Sequence, residues 1–226
     1  MEEAVKSRRY DNSRRQARVR ATRAQVAAAA QRLFTERGYP VTTIEAIAEE
    51  SDTPIATVYR LFGSKRGILN LVVDIAFGGD DEPIAFADRP AVRSALAEPD
   101  SRRLLAAFAH LARELLGRSA PILHVLRTAA DVDPEAAGML AVTASQRFTG
   151  QSRIARTLAE RQQLAVTEAD AADLIYTLMS PEVYRILTIE RHWSADRYEK
   201  WLATTLQAQL LERPHQPGRT GPARTS

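Results

Sequence analysis

The sequence predicts an all-α protein of about nine helices, and three features carry that expectation. Apolar residues recur at helical spacing through nearly every segment, as Val26, Ala30, Leu33 and Phe34 do. Capping residues stand just ahead of these segments, and glycine or proline stands just behind several of them. No pair of alternating stretches that could form strands is present. With 226 residues, 45% of them hydrophobic and 26% charged, the chain has enough apolar material for a substantial core.

Helix one is expected at roughly 20–37, stopped by Gly38. Thr42 and Glu45 have the spacing of a capping box for a short second helix that buries Ile44, Ile47 and Ala48. Ser51 and Asp52 form a tight turn. Thr53 then caps a third helix, with Pro54 in its first position and Phe62 near its end. Gly63 stops it, and Ser64 caps a fourth helix through Ile68, Leu69 and Val72. Residues 78–100 are rich in Gly, Pro and Asp and read as a connector holding a helical turn or two.

Asp100 or Ser101 caps the next helix, with Leu104, Leu105, Phe108 and Leu111 on one face and an end near Gly117. Pro121 opens another, over Ile122 to Ala130. Asp133 and Pro134 start a long helix toward Arg161. Thr167 caps the following one, which Pro181 is expected to kink or break before Tyr184 and Leu187. Ser194 caps the last, carrying Tyr198, Trp201, Leu202 and Leu206. From Arg213 the composition is that of a disordered tail.

Two short helices joined by a tight turn and braced by a longer one make a helix-turn-helix, whose second helix can enter the major groove of DNA. Val58 and Phe62 are expected to pack inward, with Thr57, Tyr59, Arg60 and Lys65 facing out. Ile55, Ala56 and Thr57 are placed to read base edges, and Tyr59 and Arg60 to reach phosphates. Lys65, at a helix N-terminus, adds an anion site together with free backbone N–H groups. Thr42, Thr43, Thr53 and Ser64 complete the expected DNA-facing set. Charge points the same way, because Lys6, Arg8, Arg9, Arg14, Arg15, Arg18, Arg20 and Arg23 outnumber Glu2, Glu3 and Asp11 in the first 23 residues.

The block from Arg23 to Leu69 contains LFTERGY before TT, then IEAIA, TVYRLF and GSK, in order and without gaps. In this it resembles the N-terminal domain of the TetR family of transcriptional regulators. The stretch 180–206 is more weakly similar to the final two helices of some members. Two departures stand out: Asp52 replaces the usual turn glycine, and Pro54 replaces the usual serine cap. The resemblance implies a homodimer on a palindromic double-stranded DNA operator, usually acting as a repressor. It further implies a C-terminal helical domain that dimerises and holds a small-molecule effector. The implied division is a disordered basic arm over 1–19, the DNA-binding domain over 20–77, the effector and dimerisation domain over 78–212, and a tail over 213–226.

For the effector, polar or aromatic residues within apolar helices are the candidates: Phe108, His110, His124, Arg127, Phe148, Tyr176 and Met179. Each can equally be core or surface. Arg127 can meet an anionic ligand or pair with Asp131 four residues on. Tyr184, Leu187, Tyr198, Trp201, Leu202 and Leu206 offer either a subunit interface or ordinary core, with the interface favoured for the outer ones. The alternative reading is a DNA-binding dimer governed by its concentration alone, without an effector.

Catalysis is not expected. The four histidines are far apart and lack the carboxylate company of a metal site, and no phosphate loop or nucleophile elbow occurs. The absence of cysteine excludes disulfides. No cofactor is indicated. Without a secretory h-region or a spanning apolar run, a cytoplasmic location off the membrane is expected.

Overall fold

In the computed structural model, residues 2–78 and 88–211 are described, with side chains in the first helix from residue 15 onward. The expected tail over 213–226 and residues 79–87 of the expected connector lie outside the described residues. Ten α-helices follow in order, and no strand occurs among the described residues. They are α1 (Glu2–Arg37), α2 (Ile44–Glu50), α3 (Ile55–Phe62), α4 (Lys65–Gly78) and α5 (Pro90–Ala97). Then come α6 (Ser101–Ala130), α7 (Pro134–Ala159), α8 (Glu168–Leu178), α9 (Pro181–Arg185) and α10 (Ala195–Leu210). A π-helical turn, Ile186–Glu190, prolongs α9.

Local signals place most boundaries. Asp100 accepts from Arg103 N–H, Asp133 from Glu135 and Ala136, Thr167 from Asp170, and Ser194 from Arg197, each filling an otherwise unpaired donor of a first turn. Ser64 does the same for α4 by accepting from Gly67 N–H. Pro181 does break the chain, with Ser180 capping the new helix.

The extents of the first helix and of α6 differ from expectation. Helix one begins at Glu2 rather than near residue 20, so α1 continues through the stretch read as a disordered arm. Pro121 does not start a helix but sits inside α6. Proline there forfeits the bond to the Gly117 carbonyl and should kink or break the helix. Yet Leu116, Ala120, Ile122 and Leu123 are all buried, and burial on both sides keeps the helix continuous.

The apolar residues form two clusters, and α6 runs through both. The first joins α1 to α4 with the rear half of α6, through Ile122, Leu123, Val125, Leu126 and Ala129. The second gathers α5, the front half of α6, the rear of α7, α8 and α10. The first core is thus completed by a helix from the second half of the chain. Tyr198, Leu202 and Leu206, weighed as interface residues, are each 0% exposed and belong to the second core.

Candidate nucleic-acid interface

The helix-turn-helix forms at α2 and α3, but its caps sit one residue later than expected. Thr43, not Thr42, is the N-cap of α2 and accepts from Ala46 N–H at 3.1 Å. Thr42 is buried, donating its hydroxyl to Gly38 O at 2.8 Å. Thr53 is also buried, its hydroxyl donating to Ser51 O at 3.1 Å, and Pro54 takes the N-cap position of α3. Pro54 O accepts from the N–H groups of Thr57 and Val58. Both buried threonines thus brace the motif from within. Asp52 adopts a φ of 46°, in the left-handed region that favours glycine and that aspartate tolerates.

Val58, fully buried, anchors α3 in the first core, and Arg23 of α1 lies over the Phe62 ring at 5.3 Å. The opposite face presents Ile55, Ala56, Tyr59 and Arg60, at i, i+1, i+4 and i+5, all exposed. Thr57, placed among the readers by the sequence, lies half-buried on the flank of this face. Ile55 and Ala56 can meet thymine methyls, and Tyr59 and Arg60 can donate to phosphate oxygens.

Lys65 departs most from expectation. Its ammonium donates to Tyr39 O at 2.8 Å, Thr42 O at 2.9 Å and Pro40 O at 3.4 Å, and stands 4.3 Å from the Tyr39 ring centre. An ammonium has three protons, and all three are used. Lys65 therefore clamps the turn between α1 and α2 instead of reaching for an anion. Burial pulls its pKa below the usual lysine value, against the opposing field of Asp133.

The segments that flank the helix-turn-helix are tied to the rest of the chain. Tyr39 Oη donates to Asp133 at 3.4 Å, and Arg66 pairs with Glu135 at 2.6 Å, both at the start of α7. Gly67 permits the close junction of α3 and α4, since a Cβ there would lie 2.1 Å from the Phe62 carbonyl oxygen.

The residues expected to bind an effector do not form one site. Phe108 and Met179 are buried in the second core. His110 is exposed on α6, 3.2 Å from Glu199 and 3.6 Å from Glu114, so it does have carboxylate neighbours. Glu199 is also held by Arg113 at 2.9 Å, which makes this an ion-pair network, and no metal-binding group is found among the described residues. Arg127 pairs with Glu182 at 2.5 Å and not with Asp131. His124 lies nearby, its pKa lowered by burial and by Arg185 and Arg127. Phe148 meets Tyr176 edge-on at 5.6 Å. An open groove of 630 Å³ runs along α7, and of the expected residues only Phe148 lines it. Arg147 and Gln151, half-buried and buried on α7, were missed; their i, i+4 spacing was the available signal.

An all-helical chain that displays a short amphipathic helix from a braced helix-turn-helix has the architecture that can place a helix in the major groove of DNA. Residues 26–72 match the sequence model of the bacterial regulatory proteins of the tetR family.

Solved structures agree on the fold. NalD of Pseudomonas aeruginosa, the secondary repressor of the MexAB-OprM multidrug efflux pump, superposes with a TM-score of 0.64 at 19% identity, over 85% of this chain and 98% of its own. SmeT of Stenotrophomonas maltophilia, the repressor of the efflux pump SmeDEF, gives 0.61 at 17% identity over 92% and 99%. SmeT is also solved in complex with triclosan. A regulator from Saccharomonospora viridis in complex with choline gives 0.60 at 21% identity over 84% and 98%. No curated protein matches the sequence.

Proposed function

We propose that the protein is a homodimeric repressor that occupies a palindromic operator in the cytoplasm and leaves it when a small, largely hydrophobic effector binds. Residues 20–77 act as the DNA-binding domain and 78–212 as the effector and dimerisation domain. The observation that carries the reading is the exposed row Ile55, Ala56, Tyr59 and Arg60 on a helix anchored by Val58. Twofold symmetry sets two such helices about 34–36 Å apart, one turn of DNA. With Tyr198, Leu202 and Leu206 inside the core, the dimer surface falls to outward residues such as Ile186 and Ile189. The efflux-pump repressors and the triclosan and choline complexes among the structural relatives support the effector.

For the effector to release DNA, it must prefer the non-binding conformer. A hundredfold loss of operator affinity requires a coupling of about 2.7 kcal/mol. Selection of bound fragments from random duplex DNA tests the first part, and inverted symmetry in the fragments is the expected result. A protein that sediments as a single copy, or that prefers no duplex over heparin, overturns it. Melting the protein against a metabolite panel tests the effector, since a native-state ligand raises Tm. A panel without any shift favours a regulator governed by its concentration.

A further inference from the structure

Three helices bring their charges to one place. Arg127 on α6 holds Glu182 on α9 through Nη2–Oε1 at 2.5 Å, and Arg147 on α7 acts on the same carboxylate. Burial alone would raise the pKa of Glu182, but its own backbone N–H and the two guanidinium groups bring it below the usual carboxylate value. Arg147 itself is poorly satisfied. Its guanidinium stacks 4.7 Å from the Tyr176 ring centre, and its Nη2 reaches Tyr176 O at only 3.5 Å, a weak bond. Arg185 adds another positive charge to the neighbourhood, so the cluster holds more cations than Glu182 can neutralise.

Gln151, one turn beyond Arg147, is 9% exposed and its Oε1 has no partner. The amide of such a side chain can equally turn its N–H₂ toward an incoming oxygen. Phe148, edge-on to Tyr176, supplies an apolar wall. Together these features describe a polar seat with an aromatic flank, within the field of the chain's own Glu182 carboxylate, which Arg127 holds.

We propose that this cluster is an anion site, at which an organic carboxylate with an apolar body competes with Glu182 for Arg127 and Arg147. This rests on the effector reading above and gives the effector a chemical class. A planar carboxylate suits the forked guanidinium, and Glu182 is itself the example. The Arg127–Glu182 pair is half exposed on both sides, so it is weak enough for a small molecule to exchange.

Exchange has a consequence because of where the pair sits. Arg127 lies between Leu126 and Ala129, which pack into the core shared with α1 to α4. Glu182 is followed by Val183 and Tyr184, which pack on the second core. Glu182 thus latches one core to the other across α6, and a ligand carboxylate in its place releases the latch.

The test uses the full chain with a selected operator duplex, and octanoate and 1-octanol as a matched pair of probes. The wild type is expected to bind octanoate and not octanol. Glu182→Gln is expected to bind octanoate about tenfold tighter, and the operator about tenfold weaker without any ligand, within the usual range of allosteric coupling. Arg147→Met loses octanoate binding; Arg127→Gln, at a half-exposed position, gives the same answer if the first variant melts early. Glu168→Gln, which breaks the remote Arg156–Glu168 pair, behaves as wild type.

The proposal is overturned if Glu182→Gln keeps wild-type affinity for both octanoate and operator. It also falls if octanol binds as well as octanoate, a result that leaves an uncharged effector standing, or if neither form binds octanoate. Failure of the wild type to hold any duplex would overturn the broader regulatory reading, while the octanoate comparison would still decide the anion site.

Discussion

Lys65 shows how one side chain separates stability from recognition. Its three donated bonds reach back to the turn after α1, and removing it leaves half-buried carbonyls without a donor. Lys65→Met is therefore expected to lose about 1–3 kcal/mol of stability, seen as a lower Tm. Tyr59→Ala and Arg60→Ala remove exposed groups and should leave Tm nearly unchanged while operator affinity falls. If Lys65→Met melted like wild type and lost only DNA, the clamp would be the wrong account.

Tyr198 makes a different test at the same scale. It is fully buried, donates its hydroxyl to Leu178 O at 3.2 Å, and packs edge-on against Tyr184. Burial, then the neighbouring Tyr184, pushes its pKa far above the ordinary tyrosine value. A phenol with a raised folded-state pKa stabilises the fold fully below its unfolded value of about 10 and loses that contribution as pH climbs higher. Denaturation midpoints taken across alkaline pH should fall for the wild type. Tyr198→Phe should start about 1 kcal/mol lower at neutral pH and decline less steeply. Parallel declines would show that other groups govern alkaline unfolding.

At the level of whole elements, α1 poses the clearest question. Among its described side chains none ahead of Val26 is buried, yet the helix begins at Glu2, so at about 1.5 Å per residue it extends well past its packed segment. Arg15, Arg18 and Arg20 are exposed along this extension, and Arg23 lies over Phe62 at the end of α3. Deleting residues 2–19 should leave Tm nearly unchanged. It should weaken operator binding and flatten its salt dependence by about 0.9 in slope per lost phosphate contact. An unchanged slope would make the extension a spectator.

What the sequence made legible at this level was local. Asp100, Asp133, Thr167 and Ser194 announced their helices because a cap and its donors lie within three residues. The unread parts depend on partners far along the chain. Lys65 meets Tyr39 26 residues away, and Arg127 meets Glu182 55 residues away. Pro121 looked like a boundary because only the packing on either side of it keeps α6 whole. The outward row of α3 was only partly readable from Val58 and the helical period, which gave Tyr59 and Arg60 but also set Thr57 outward where it lies half-buried; the candidate effector residues, spread over several helices, leave no such periodic mark.

For the molecule as a whole, the decisive fact is that α6 belongs to both cores. Two apolar clusters joined by a flexible linker would unfold separately, but here Leu104, Leu105 and Phe108 lie in one cluster and Leu123, Val125 and Leu126 of the same helix in the other. Loss of either cluster strips a stretch of α6 of its buried face, and an isolated stretch of helix is marginal in water. The two cores should therefore melt together. Nature supplies the probes: Trp193 and Trp201 touch one another at 5.9 Å beside the second core, so their fluorescence reports that end, while far-ultraviolet circular dichroism reports every helix. Leu126→Ala deletes a fully buried side chain from the first core only and should cost about 2–5 kcal/mol. If α6 couples the clusters, the fluorescence midpoint falls as far as the dichroism midpoint, although no tryptophan lies in the damaged core. If the tryptophan signal holds its wild-type midpoint while helicity is lost earlier, the clusters are independent, and a latch from α9 to α6 would have no shared body through which to act.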